Sequence, residues 1–298
     1  MSRIDQALRN WEVARGTVPS ASAIGDAAVA TPLSDYPTEE AREVPPAAAT
    51  VPPMVEAEHP RQVVRPSRDS AYLAARLVTG SSNSVPLEQY RRLAAVLHDA
   101  QTQGGLKTLM VTSALPGEGK SLTVANVAYT LSGSYKRRVL VIDADLRAPS
   151  LHHIFGVRNI QGLGDVLRDG RADVPFVEVS DGLAVLTAGR PGATPLAELI
   201  SDRMGTLIRE CASRFDWVLV DTPPVGLLPD GQVLARFVGG VVFVIGAGST
   251  PRAAIERAVA ELGPDSIIGT VLNRVEDRKI PEASYYNEYY GYGENRAD

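Results

Sequence analysis

Ala114-Leu115-Pro116-Gly117-Glu118-Gly119-Lys120-Ser121 lies between an apolar run, Leu109 to Thr112, and a helical pattern, Ser121 to Ser132. That is the strand–loop–helix context a phosphate-binding loop requires. Gly117 and Gly119 let backbone N–H groups turn inward without a Cβ in the way. The helix that follows presents its positive end to the same anion. Lys120 is placed to neutralise the β- and γ-phosphates, and Ser121 to offer a hydroxyl to Mg²⁺. Gly117, Glu118, Gly119, Lys120, Ser121 and Leu122 are therefore the expected nucleotide contacts. The usual first glycine of such a loop is Ala114 here, small enough for the loop to close.

Two acidic strand ends accompany this loop. Val139 to Ile142 runs into Asp143-Ala144-Asp145-Leu146-Arg147, and Trp217 to Val220 runs into Asp221-Thr222-Pro223-Pro224. Carboxylates two residues apart share a face wherever strand geometry continues. Two such groups at one spot repel each other unless a cation lies between them. One of the pair is then free to accept a proton. Asp143 and Asp145 are thus candidate catalytic residues beside Lys120, and Ser121, Asp145 and Asp221 are the candidate Mg²⁺ ligands. Asn273 and Arg274 end the last apolar run and are candidate contacts to the nucleotide base.

Further apolar runs occur at Leu183 to Leu186, Val241 to Ile245 and Ile267 to Leu272. Helical patterns at Leu196–Phe215, Gln232–Val238 and Pro251–Leu262 fall between them, and Leu87–Ala100 precedes the set. Short, wholly apolar runs are strands buried on both faces. Their alternation with helices predicts an α/β fold of the P-loop NTPase type, a mostly parallel sheet with helices on both faces. The expected organisation is an N-terminal region 1–84, a catalytic domain 85–280 and a tyrosine-rich tail 281–298. Within the first region, 1–16 reads as a short helix with Ile4, Leu8 and Trp11 on one face. Residues 17–66 read as disordered linker; nine of the 21 prolines fall in 1–66 and no periodicity survives there.

The net charge of −5 argues against a partner that is nucleic acid. A single cysteine, Cys211, excludes an intrachain disulfide and fits a reducing compartment; its place in a helical pattern makes it core packing. No apolar run approaches the roughly 20 residues of a membrane span, and 1–16 lacks a signal-peptide core, so a cytoplasmic chain is expected. His152 and His153 have no companions at metal-ligand spacing and read as ordinary helix-start residues.

Pro-Gly-Glu-Gly-Lys-Ser at 116–121, Asp-Ala-Asp-Leu-Arg at 143–147 and Val-Asp-Thr-Pro-Pro at 220–224 together resemble the bacterial tyrosine kinases, the cytoplasmic autokinases of capsule and exopolysaccharide export. The resemblance covers about 86–298. It implies ATP and Mg²⁺ as cofactors, protein-tyrosine kinase activity and a C-terminal phosphoacceptor cluster. Tyr285, Tyr286, Tyr289, Tyr290 and Tyr292 supply that cluster, half of the ten tyrosines within eight residues. Their neighbours Asn287, Glu288, Gly291 and Gly293 predict a mobile tail able to reach an active site. The resemblance further implies a homo-oligomer, a separate membrane activator of the chain-length-determinant type, a cognate phosphatase, and a peripheral position at the inner face of the plasma membrane through that partner. The family's early helix carries Glu-x-x-Arg-x-x-Arg, an oligomerisation device; here Glu88 and Arg91 match but the third position is Ala94. Arg92 stands about 200° around a helix from it. The MinD and ParA type ATPases also resemble the chain in topology, but their signature lysine position is Leu115 here. A positioning ATPase without kinase activity and a nucleotide-binding scaffold are the alternatives.

Overall fold

The computed structural model describes residues 76–78, 85–170, 174–190, 192, 195–226 and 230–275. The tail tyrosines 285–292, the helix expected at 1–16 and the linker expected at 17–66 lie outside these residues.

The elements run α1 (Val85–Gly104), β1 (Thr108–Ser113), α2 (Lys120–Tyr135), β2 (Val139–Asp143), α3 (Leu151–Phe155), α4 (Leu163–Asp169), β3 (Val177–Ser180) and β4 (Leu183–Leu186). They continue with α5 (Pro195–Leu199), α6 (Asp202–Arg214), β5 (Trp217–Asp221), α7 (Asp230–Ala235), β6 (Gly240–Gly246), α8 (Arg252–Leu262), a 3₁₀ turn (Pro264–Ser266) and β7 (Ile267–Asn273). The strands form one seven-stranded sheet in the order β3-β4-β2-β5-β1-β6-β7. All pairings are parallel except β3 with β4.

Strand alternation sorts the core into two faces. Met110, Leu140, Ile142, Val218, Val220 and Phe243 point to the side covered by α4 to α8. Leu109, Val111, Val139, Val141, Leu219 and Val244 point to the side covered by α1 and α2. Residues of both parities are sealed, which is why β2 and β5 read as unbroken apolar runs. Cys211 packs among the first set, and burial pushes its thiol up to about 11, so it is a core residue and not a nucleophile.

Some elements depart from the sequence reading, among them the short helices α3 and α4, which it did not contain. The pattern at 196–215 is two helices, α5 and α6, broken where the Ser201 backbone extends and its hydroxyl donates to the Glu198 carbonyl at 2.7 Å. β3 is an additional edge strand, turned back onto β4 at Gly182, whose φ of 75° favours glycine. As the helical pattern over 87–100 leads one to expect, Ala94 on α1 is fully buried in one core cluster with Leu97, Val124 and Ala128, so the third position of the helix motif faces this domain's own core. Glu88 and Arg91 pair with each other at 3.5 Å on the same helix.

Candidate active site

Parallel strands place all their C-terminal ends on one edge, where such sheets bind ligands. Because β2, β5 and β1 are consecutive neighbours, Asp143, Asp221 and the loop after Ser113 meet there. Asp143 and Asp221 are direct register partners across the sheet.

The loop turns through Gly117 at φ 77° and Gly119 at φ 92°, a left-handed conformation that side chains resist, which explains both glycines. The first i to i−4 bond of α2 is from the Thr123 N–H to the Gly119 carbonyl at 2.9 Å. The amides of Lys120, Ser121 and Leu122 therefore precede the helical ladder, the arrangement that receives an anion. The Leu122 side chain packs into the core beside α1, so only its backbone is placed to contact a nucleotide.

The Lys120 ammonium donates to Asp145 Oδ2 at 3.1 Å, lies 3.4 Å from the Ser121 hydroxyl, and stands 4.0 Å from Asp221 Oδ1. Burial alone would lower its pKa; the charges of Asp221 and Asp145 more than offset that and hold it above its ordinary value. The paired aspartates do not share a strand face, because β2 ends at Asp143. Asp145 instead swings to Lys120, its other oxygen accepting from the Ala148 N–H at 3.0 Å. Asp143 Oδ2 accepts from the Ser150 and Leu151 amides at 3.2 and 3.1 Å, capping α3.

What remains is unusual for a protein interior. Asp143 Oδ1 and both oxygens of Asp221 are buried with no hydrogen-bond partner. Burial, and then the Asp221 charge, raise the Asp143 carboxyl well above its ordinary value. Burial likewise pushes Asp221 up to about 6, against the pull of Lys120. Among the described residues, no three His, Cys, Asp or Glu side chains close on a single point. A cation here would thus have to complete its shell with the Ser121 hydroxyl, phosphate oxygens and water, which suits Mg²⁺.

Two expected nucleotide contacts behave differently. The Glu118 side chain turns away from the cradle and is buried, accepting from the Leu115 N–H at 2.7 Å and the Gly246 N–H at 3.0 Å. The Asn273 amide donates to the Glu118 carbonyl at 2.8 Å, so it grips the loop itself. Arg274 is exposed at φ 60°. His152 and His153 lie in contact in α3, ring centroids 3.9 Å apart and planes tilted by 40°. Thr250, whose hydroxyl donates to Glu118, was not foreseen; the only signal was an acidic residue inside a loop meant for anions.

Comparison with known proteins agrees with this fold. Residues 109–289 match the CobQ/CobB/MinD/ParA nucleotide binding domain. The chain is 36% identical over 217 residues to the tyrosine-protein kinase YwqD of Bacillus subtilis, covering 71% of this chain and 89% of that protein. It is 31% identical over 213 residues to the putative tyrosine-protein kinase CapB of Staphylococcus aureus, covering 70% and 90% respectively. The solved kinase domain of the Escherichia coli tyrosine kinase ETK superposes with a TM-score of 0.58 at 30% identity, over 64% of this chain and 77% of that one.

Proposed function

The chain belongs to the bacterial tyrosine-protein kinases built on a MinD/ParA-type nucleotide-binding domain, and from that membership we propose that it moves the γ-phosphoryl group of ATP onto Tyr285, Tyr286, Tyr289, Tyr290 and Tyr292 of a neighbouring copy. The observation that carries this is the meeting of Lys120 with three buried aspartates at one sheet edge, with oxygens of two of them accepting no well-aligned hydrogen bond. Buried polar atoms are otherwise paired in proteins, so such exceptions point to a ligand.

Transfer of this kind is mainly positioning and charge neutralisation. The amides of residues 117–122 cradle the phosphates, and Lys120 follows the charge that develops between the β- and γ-phosphates. Ser121 and Asp221 would hold Mg²⁺, with Asp145, whose oxygens are met by Lys120 and the Ala148 amide, acting on it through water; the ion would supply further neutralisation. Asp143, with a free oxygen and a raised pKa, takes the proton of the incoming phenol, whose own pKa is about 10. Each phosphate adds about −1.5 to −2 charge. The tail already carries Glu282, Glu288, Glu294 and Asp298 against Arg296, so successive phosphates loosen its docking and open the assembly.

We propose that this activity serves capsule or exopolysaccharide export, at the inner face of the membrane through a chain-length-determinant type activator, with a phosphatase resetting the tail. Among the described residues no helix is long and apolar enough to cross a membrane. The test mixes two full-length chains that cannot label themselves: Lys120→Met, which keeps the tail but lacks the catalytic lysine, and a chain with Lys120 intact and all five tail tyrosines changed to Phe. Phosphotyrosine should appear on the Lys120→Met chain alone. ATP consumed with no tyrosine labelled in any chain would point to a MinD-like ATPase instead.

A further inference from the structure

Glu118 is a negative charge inside a loop that must hold a polyanion. Facing the cradle it would repel phosphate, yet it is only 4% exposed and turned the other way. Oε2 accepts from the Leu115 N–H within the loop at 2.7 Å. Oε1 accepts from the Gly246 N–H at the end of β6 at 3.0 Å, and from the Thr250 hydroxyl one turn further on. The Thr250 oxygen in turn accepts from the Gly246 N–H at 3.1 Å, closing a small ring across the β6–α8 turn. A Cβ on Gly246 would meet Ser249 Oγ at 2.5 Å and Thr250 Oγ1 at 3.2 Å, so this turn has no slack.

The main chain of Glu118 is held just as firmly from another strand. Its carbonyl accepts from the Asn273 amide at 2.8 Å, and the Asn273 carbonyl accepts from the Ala247 N–H at 2.8 Å. A Cβ at Gly119 would overlap that same amide. One residue of the phosphate loop is therefore gripped by its side chain from β6 and by its backbone from β7. A buried carboxylate is costly unless its lone pairs are filled, and bonds to an ionised acceptor are about twice as strong as neutral ones. The charge thus stiffens the loop where an uncharged residue would only fill space.

We propose that Glu118 and Thr250 form a brace that fixes the amides of residues 117–122 in the shape that receives a nucleoside triphosphate. They are positioning residues: neither touches the reacting atoms, and both act through the loop. The proposal rests on the kinase reading for its activity assay but not for its binding assay. A loop held ready spends less of the ligand's binding energy on ordering. Loss of the brace should therefore weaken nucleotide binding more than it slows transfer.

The test uses the full-length chain with Mg²⁺ and a fluorescent ATP analogue for Kd, and tail phosphotyrosine formation for KM and kcat. Thr250→Val keeps the side chain's shape and removes the hydroxyl; it should raise Kd and the ATP KM about tenfold, the weight of one charge-assisted hydrogen bond, with a smaller fall in kcat. Thr250→Ser should restore both to within about twofold. Glu118→Gln should weaken binding at least as much, and adding Thr250→Val to it should cost little more, since both remove one interaction. Circular-dichroism melting reports whether each variant folds; if Glu118→Gln does not, the Thr250 pair decides alone. A Thr250→Val chain that binds nucleotide within twofold of wild type overturns the brace, as does a loss that Thr250→Ser fails to restore. A wild-type chain that binds nucleotide tightly but labels no tyrosine sinks the kinase reading and leaves the brace to the Kd comparison.

Discussion

Two sets of buried carboxylates lie at the same end of the parallel sheet, and the fold treats them oppositely. Glu118 has each oxygen met by a donor from the loop or from the β6–α8 turn. Asp221 accepts no well-aligned hydrogen bond, with only the Lys120 ammonium at 4.0 Å as an ion-pair neighbour among the contacts described above, and Asp143 accepts on one oxygen alone. A buried, unsatisfied polar group costs about 1–3 kcal/mol, more when charged. The fold bears that cost at β2 and β5 and avoids it in the loop between β1 and α2. The difference separates two jobs. A filled carboxylate holds a shape, and an unfilled one reserves its oxygens for something that arrives.

The sharpest way to break the comparison is Asp143→Asn. Phosphotyrosine formation should fall about 10²–10⁴-fold, the range for loss of a general base. The same change should raise the melting midpoint of the nucleotide-free chain by about 2–4 °C for each kcal/mol of relieved desolvation and repulsion. A variant that is both inactive and less stable would mean that Asp143 is a structural cap of α3 and nothing more. Next comes Asp221→Asn, expected to lower transfer about 100-fold or more at fixed Mg²⁺, with partial recovery as Mg²⁺ is raised.

The raised Asp221 pKa of about 6 gives a pH signature of known sign. Between the ordinary value of 3.8 and about 6 the folded chain keeps a proton that the unfolded chain releases. Stability of the nucleotide-free chain from this group is therefore present at low pH and lost as pH rises through that window. MgATP affinity should run the other way, falling as pH drops below about 6 and Asp221 protonates. Melting curves and Kd measured across this range should show opposed trends, and Asp221→Asn should flatten the first. The smallest effect belongs to a third kind of carboxylate. Glu256 pairs with Arg252 at 2.6 Å on the surface of α8, side chains 60% and 90% exposed. Glu256→Ala should move the melting midpoint by less than about 2 °C.

The sheet was legible because its inner strands are buried on both faces and so appear as plain apolar runs. All six apolar runs are strands, but the last, β7, lies at the sheet edge and is not buried on both faces, with Leu272 exposed. β3 escaped because it is half exposed and Val-Glu-Val-Ser resembles a loop; its pairing with β4 makes it a strand. The meeting of Lys120, Asp143, Asp145 and Asp221 was legible because strand ends carry their chemistry locally. The roles of Glu118 and Asn273 were not, because both are decided by neighbours more than 120 residues away in the chain, at 246–250 and 118. The continuation of strand geometry through Asp145 failed for a related reason: the ammonium of Lys120 and the Ala148 amide draw the chain out of the strand.

The most direct measurement is residue-level phosphate mapping by mass spectrometry after the purified chain is incubated with MgATP, alongside its Lys120→Met counterpart. Modification confined to the 285–292 cluster and present only with Lys120 intact is the predicted result. Equal modification without Lys120, or a wild-type tail left bare while ATP is consumed, would contradict it.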